Sequence, residues 1–196
     1  MPKDATGIVT VIIGNIVKNF TIENGKVLAN IKDLSAGEYT ANIIYNGYSK
    51  YKPSETSVLF NVTKYDSQIN ISVGNIEIGK DAIVNIEVTP GATGKIVVTI
   101  NGKSQIIELK NSKATVIINN LTDAEYKINV EYVGDAKYLA SKDSYVFSVD
   151  KLKSFIIVSV DDINVGDDAV INIIVPNDAT GNVTLVINGK TENIIV

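Results

Sequence analysis

Two pairs of adjacent aspartates are the residues best suited to chemistry in this chain. Asp161-Asp162 and Asp167-Asp168 place four carboxylates within eight residues, and carboxylate oxygens are the ligands that calcium prefers. The positions 87 residues earlier belong to a repeat of the same sequence and read Gly74-Asn75 and Lys80-Asp81. Because most of the carboxylates are not repeated, we interpret Asp161, Asp162, Asp167 and Asp168 as solvated turn residues rather than metal ligands. We expect the protein to need neither a metal nor another cofactor.

The composition excludes most other site chemistry. The 196 residues contain no Cys, His, Trp or Arg, and all 18 basic residues are lysines. Disulfides, thiolate nucleophiles, Cys/His zinc sites and imidazole catalysis are therefore excluded, and so are bidentate arginine contacts to guanine or phosphate. The net charge of -4 argues further against a nucleic-acid partner. A Ser–Lys or paired-aspartate catalytic site is compatible with the composition, but no such group stands out, and we predict that the protein is not an enzyme.

Five Asn-x-Ser/Thr motifs offer acceptor sites for glycans if the protein is exported. They begin at Asn19, Asn61, Asn70, Asn120 and Asn182. Asn61 and Asn70 fall in sequence that predicts strands, where they are less accessible. Asn120 and Asn182 are therefore the better candidates.

An 87-residue repeat organises the chain. Ala5-Thr6-Gly7 recurs as Ala92-Thr93-Gly94 and again as Ala179-Thr180-Gly181. Residues 66–109 and 153–196 share 19 identities in 44 ungapped positions, far more than unrelated sequences of this composition would share. The copies are therefore homologous units.

The repeat divides the chain into one complete unit and two incomplete ones. Residues 67–151, the central segment, hold a whole unit. Residues 1–64, the N-terminal segment, match only its later part, and residues 152–196, the C-terminal segment, match only its earlier part. A natural protein rarely starts in mid-unit, so we expect the chain to be an excerpt of a longer tandem array.

Alternation of apolar and polar residues with a period of two predicts β-strands throughout. Asn101-Gly102 and Asn188-Gly189 lie between such runs and are strong signals for tight hairpins. In the central segment the predicted strands are 68–73, 82–88, 95–101, 104–110, 113–119, 126–132 and 144–149. The fifth of these strands has an apolar row of Ala114, Val116 and Ile118. Val27, Ala29 and Ile31 stand 87 residues earlier and repeat that row. Seven short strands in fewer than 90 residues predict an all-β fold of tandem immunoglobulin-like antiparallel β-sandwiches.

Two tyrosines at the start of the sixth predicted strand have the spacing of a tyrosine corner. Tyr39 and Tyr126 each stand five residues after a leucine, Leu34 and Leu121. In such a corner the tyrosine hydroxyl bonds to backbone a few residues upstream and fixes the crossover between the sheets. The alternative is that both are ordinary core aromatics.

The order of these motifs resembles that of a known family. Ala-Thr-Gly before a strand, Asn-Gly-Lys after it, Leu-x-x-x-x-Tyr and then the run Tyr132–Tyr138 follow one another as in the tandem bacterial Ig-like (group 3) repeats of large surface proteins. The chain is most similar to the adhesin-like proteins of methanogenic archaea, whose Ile-, Asn- and Lys-rich usage it shares. The N-terminal segment departs from the pattern, because Tyr48 stands where the run has Asp135. The resemblance implies an extracellular, cell-surface stalk or adhesion role, with activity carried by other domains.

We therefore predict a structural or adhesive segment of a cell-surface stalk. The linkers near 64–66 and 150–152 lack Gly/Ser runs, so the array should be semi-rigid. The expected partners are neighbouring Ig-like units of the same or an adjacent chain, and a cell-surface ligand. The alternatives are a carbohydrate- or protein-binding module, and a fibre subunit whose incomplete end segments complete each other head to tail. No uninterrupted apolar run reaches 18 residues, so no membrane segment is predicted, and an export signal is expected outside these residues.

Overall fold

The computed structural model describes residues 3–196, so Met1 and Pro2 of the N-terminal segment lie outside the described residues. Residues 3–196 form sixteen β-strands and no helix. The fold is therefore all-β, and the prediction of the fold class is confirmed. Over the same residues, no helix has the length and apolarity needed to cross a membrane.

The N-terminal segment forms one antiparallel sheet. Its strands are β1 (Ile8–Ile13), β2 (Ile16–Thr21), β3 (Gly37–Tyr45) and β4 (Ser54–Val62). They lie in the order β2-β1-β3-β4. Alternate residues of β1 point to one face, where Val9, Val11 and Ile13 are buried. This face carries a hydrophobic cluster of its own.

The central segment forms two sheets that enclose one core. Its strands are β5 (Ile69–Ser72), β6 (Ile76–Glu77), β7 (Ala82–Val88), β8 (Lys95–Ile100), β9 (Lys103–Glu108), β10 (Lys113–Ile118), β11 (Ala124–Tyr132) and β12 (Ser141–Asp150). One sheet has the order β10-β7-β5, and the other has the order β6-β12-β11-β8-β9. Both contribute to a single cluster, for example Val84 and Ile86 from the first and Ile128 and Phe147 from the second. This packing of two apolar faces is that of a β-sandwich.

All seven predicted strands of the central segment are present, with ends shifted by a few residues. The extra strand is β6, which the sequence did not reveal because two residues show no period. It pairs in parallel with β12, with Ile76 opposite Val149 and Glu77 opposite Asp150. The hairpin signal is also confirmed, because Asn101 and Gly102 both have positive φ, 48° and 72°, as a type I′ turn requires.

The C-terminal segment contains two separate hairpins. They are formed by β13 (Ile157–Val160) with β14 (Ile171–Ile174), and by β15 (Asn182–Ile187) with β16 (Lys190–Ile195). None of the residues 152–196 is buried. The alternation of apolar and polar residues in this segment therefore produces strands, but their apolar side chains are not packed into a core.

One strand predicted in the N-terminal segment is not present, and that prediction is wrong. Residues 27–35, which include Val27, Ala29 and Ile31, form no strand. In the central segment the equivalent residues form β10, which pairs with β7. Residues 3–64 contain no strand equivalent to β7. The segment therefore lacks the partner whose hydrogen bonds would make it a strand.

Candidate functional site

The two aspartate pairs lie in the connection between β13 and β14. Asp161, Asp162, Asp167 and Asp168 are all exposed. Asp167 closes a turn, since its amide donates to the Asn164 carbonyl at 3.1 Å and its carboxylate accepts from the Asn164 amide at 3.3 Å. Within residues 3–196, no three Asp or Glu side chains lie close enough together to hold a metal ion. The connection therefore holds turn hydrogen bonds but no assembled ligand set.

The two preferred glycan acceptors are accessible. Asn120 lies in the turn after β10 with a φ of 55° and is exposed. Asn182 is the first residue of β15 and is exposed as well. Neither position would require a core residue to move to accept a glycan.

The hydroxyl groups of two repeat-related tyrosines bond to the backbone four residues upstream. Tyr126 Oη accepts a hydrogen bond from the Thr122 amide at 3.0 Å and donates to the Thr122 carbonyl at 3.1 Å. Tyr39 Oη donates to the Ser35 carbonyl at 2.9 Å. The rings stack on equivalent phenylalanines, Phe147 and Phe60, each at 5.6 Å between centroids. Each tyrosine thus joins the connection that precedes its strand to the apolar face of its sheet.

Removing the Tyr126 hydroxyl should destabilise the central segment measurably. We expect Tyr126→Phe to lower the free energy of unfolding by about 1–2 kcal/mol, because the polar atoms of Thr122 lose their partner while the ring stays packed. Urea denaturation would measure the change. Tyr39→Phe is the matched control and should cost less, because Tyr39 makes one such bond in a more exposed setting. Equal unfolding midpoints for wild type and Tyr126→Phe would contradict this role.

The carboxylate of Asp135 joins two loops at one end of the sandwich. One oxygen accepts from the amide and the hydroxyl of Thr93, at 2.8 and 2.9 Å. The other accepts from the amides of Lys137 and Tyr138, both at 2.7 Å. The Thr93 carbonyl accepts from Tyr132 Oη at 2.9 Å. The loop before β8 is therefore fixed to the loop between β11 and β12.

The surroundings of Asp135 and Tyr132 determine the charge states of these two side chains. Partial burial alone would raise the pKa of Asp135, but the amides of Thr93, Tyr138 and Lys137 and the Thr93 hydroxyl outweigh it and hold that pKa well below its usual value. Burial raises the pKa of the Tyr132 phenol to about 12, and the neighbouring Asp135 carboxylate adds to the effect. Asp135 is thus ionised and Tyr132 protonated at neutral pH.

The linker before the central segment is built into the same end of the sandwich. The Tyr65 amide donates to the Lys137 carbonyl, and the Tyr65 carbonyl accepts from the Leu139 amide, both at 2.9 Å. The Lys64 ammonium donates to the Asp135 carbonyl. The rings of Tyr65 and Tyr138 lie 6.3 Å apart, with the Lys137 ammonium within 6 Å of both, in the range of cation–π attraction. Residues 64 and 65 therefore have a fixed path.

Sequence reasoning found part of this end of the sandwich. The Gly134-Asp135 pair is typical of a turn in which the aspartate caps backbone amides, but nothing local to it predicts the bonds to Thr93, 42 residues away. The signal for them was the threonine of the Ala-Thr-Gly motif, which all three copies share. In the N-terminal segment Tyr45 Oη still donates to the Thr6 carbonyl at 3.0 Å, while Tyr48 replaces the aspartate.

The N-terminal segment uses a different acid at this end. Asp4 accepts from the Lys50 ammonium and the Tyr51 hydroxyl. The hydrogen bond from Lys50, and then that from Tyr51, lowers the pKa of Asp4. The two units thus close the same end with carboxylates from different positions in the repeat.

A shallow depression lies on the outer face of the five-stranded sheet. It has a volume of about 460 Å³ and is lined by polar and charged side chains such as Asn129, Glu131 and Lys142, without an aromatic ring. Val97 and Val130 line it as well, so the depression is a mixed polar and apolar surface.

The comparisons with known proteins find similar solved structures but no similar sequence. No family model and no curated protein sequence matches the chain. A solved structure, described as "Structural insight into host cell surface retention of a 1.5-MDa bacterial ice-binding adhesin", is similar with a TM-score of 0.43 and 17% identity, over 98% of this chain and 72% of that one. A likeness of this size establishes neither a shared fold nor a shared function.

Proposed function

We propose that the chain is a structural segment of a long cell-surface stalk or adhesin, in which Ig-like sandwiches follow one another without catalytic activity. The observation that carries this proposal is the linker. Tyr65 is held by backbone hydrogen bonds on both sides, to Lys137 and to Leu139. A linker incorporated into the following unit fixes the orientation of that unit, as a spacer must and as a flexible tether does not.

The strand order supports the immunoglobulin-like assignment of the central segment. β5, β7 and β10 occupy the places of strands A, B and E, and β8, β11 and β12 those of C, F and G. β9 is an edge strand of the second sheet. β6 follows β5 in the chain and pairs with β12, so the chain passes from the first sheet to the second between β5 and β6. The bonds of Tyr126 and Tyr39 support tyrosine corners, and the core supports 67–151 as one module between the partial modules 1–64 and 152–196.

The extracellular location is supported by the motif order, which resembles that of tandem Ig-like repeats of surface proteins. A chain of this kind has neighbouring modules as its partners, and a surface ligand would bind other domains. Asn120 and Asn182 are the glycan acceptors in this proposal, since both are exposed.

The stiffness of the linker tests the proposal. Because the chain has no cysteine, spin labels can be placed at Thr56→Cys and Ser144→Cys, on exposed faces of β4 and β12. We expect a narrow distance distribution by pulsed electron resonance, and a clearly broader one for Tyr65→Pro, which removes the amide that donates to the Lys137 carbonyl. Tyr48→Ala, at an exposed loop tyrosine outside the linker, should leave the distribution unchanged. A wild-type distribution as broad as that of Tyr65→Pro would contradict a semi-rigid stalk.

A further inference from the structure

The depression on the outer face of the central five-stranded sheet has a counterpart in the N-terminal segment. There a depression of about 610 Å³ lies on the outer face of the sheet β2-β1-β3-β4. All six of its lining residues stand 87 positions before residues that line the central depression. They are Ile12, Asn42, Ile44, Glu55, Thr56 and Ser57. Because the complete central segment carries the depression at the same place, it is a feature of the repeated unit itself.

An asparagine and a serine lie side by side in each depression. In the central segment Asn129 of β11 is opposite Ser144 of β12 on one side and Thr99 of β8 on the other. In the N-terminal segment Asn42 of β3 is opposite Ser57 of β4 in the same way. Neighbouring strands are about 4.8 Å apart, so a row across three strands is roughly 10 Å long. The Asn–Ser pair is the part of this row that both segments share.

The polar groups of this pair are available to a ligand. In the central depression the Lys142 ammonium pairs with the Glu131 carboxylate at 3.0 Å, and the Asp143 carboxylate accepts from the Ser144 backbone amide at 2.8 Å. Within residues 3–196 the Asn129 side-chain amide and the Ser144 hydroxyl make no hydrogen bond, and both residues are exposed. They therefore present donors and acceptors to whatever enters the depression.

The charge of the lining restricts the chemistry of the ligand. Glu131 and Asp143 against Lys142 give the central depression a net charge of -1, and Glu55 gives the N-terminal depression the same net charge. An anionic ligand would meet a like charge in both places. Within residues 3–196, no three Asp or Glu side chains lie close enough together to hold a metal ion. The ligand that fits both depressions is therefore neutral and rich in hydrogen-bonding groups.

We propose that the outer faces of these two sheets bind a neutral polysaccharide, with one stretch of sugars on each segment. A sugar hydroxyl both donates and accepts hydrogen bonds, which matches an asparagine amide beside a serine hydroxyl. β11 and β3 each have a paired strand on both sides, so a peptide cannot add to them as a strand. Neither lining contains Trp, Tyr or Arg, the usual anchors of a protein partner. This function is additional to the spacer role and to any ligand that other domains bind.

Each site alone is expected to bind weakly, and the repeat strengthens the binding. An open depression without an aromatic ring buries little apolar surface of a ligand, so hydrogen bonds to exposed side chains supply most of the affinity. Two sites on one chain can hold one polymer at the same time, which raises the apparent affinity without any new contact. The ligand is therefore a polymer rather than a single small sugar.

Native gel electrophoresis through dissolved polysaccharide tests the proposal. The neutral probes are dextran, galactomannan and a soluble β-glucan, and the anionic probe is hyaluronan. We expect at least one neutral polymer, and not hyaluronan, to retard the 196-residue chain. Asn42→Ala and Asn129→Ala should each raise the polymer concentration for half-maximal retardation about three- to tenfold, because each removes a hydrogen-bonding group from one site. The double variant should be weaker than either single variant.

The matched control is the double variant Asn61→Ala with Asn70→Ala. It removes one exposed asparagine from a strand of each segment, outside both depressions, and should leave the retardation unchanged. Because all four asparagines are exposed, every variant should keep the wild-type unfolding midpoint, so that a loss of retardation reports binding rather than folding.

Four results would overturn the proposal. They are no retardation by any neutral probe, equal retardation by hyaluronan, equal behaviour of the two double variants, and self-association in light scattering that the Asn42→Ala, Asn129→Ala variant abolishes. The last result would assign the face to a second copy of this chain. None of them concerns the stiffness of the linker, so the proposed function stands or fails separately.

Discussion

Replacing Phe147 by alanine is expected to lower the free energy of unfolding of the central segment by about 3–5 kcal/mol. Phe147 is 1% exposed and stacks on Tyr126 between the two sheets. Truncation removes the apolar burial and leaves a cavity that a close-packed sandwich fills only in part. In a domain of this size the loss corresponds to a fall in Tm of at least about 12 °C.

Thermal unfolding of isolated residues 67–151 would measure this effect. The wild-type segment should show one cooperative transition, because it holds all eight strands of both sheets and its own core. Phe60→Ala in the whole chain is the control, and it should leave the transition of the central segment in place, because Phe60 packs on a different cluster. Absence of a cooperative transition in residues 67–151 would mean that the boundaries are wrong.

Asp135→Asn should give the second large effect, a loss of about 2–3 kcal/mol. The carboxylate accepts four hydrogen bonds, and bonds to a charged acceptor are the strong class. The amide keeps the shape of the side chain but presents its NH2 group to donors that need an acceptor. The loop before β8 would then lose its attachment to the loop after β11.

The same residue predicts how stability depends on pH. The folded-state pKa of Asp135 lies below that of an unfolded aspartate, which is about 3.9. Its contribution is therefore complete above about pH 5 and is lost as the pH falls through 4 toward the folded-state pKa. Asp135→Asn should flatten the loss of stability between about pH 5 and 3 in urea titrations. Asp143→Asn, at an exposed acid that accepts only from the next amide, should not. Equal slopes for wild type and Asp135→Asn would contradict the assignment.

The features that the sequence revealed are those determined by neighbouring residues. Strands such as β7 alternate strictly between buried and exposed residues, and Asn101-Gly102 sets its turn by its own backbone preference. The features that it did not reveal depend on distant partners. β6 exists because β12 lies beside it, and Thr93 matters because Asp135 reaches it. Val27 to Ile31 carry the alternation of a strand yet form none, because a strand also needs a neighbour.

The central claim, a stalk segment under tension along the chain, predicts a direction-dependent mechanical strength. The chain enters the central segment beside Lys137 and Leu139, near the start of β12, and leaves after the far end of β12. Tension between residues 66 and 153 therefore runs along the strands. The parallel β6–β12 pair lies across that direction, so its bonds must break together.

Single-molecule stretching tests this claim most directly. Handles on Asp66→Cys and Lys153→Cys should give an unfolding force severalfold higher than handles on Asp123→Cys and Lys151→Cys, which peel β12 from β11 one bond at a time from their common end, where Ala124 is opposite Val149. The substitutions Asp123→Cys and Lys151→Cys remove only the exposed ion pair between these two residues, which contributes little to stability. A higher force along the chain axis is the result that the stalk predicts, and equal or lower force along that axis would contradict it.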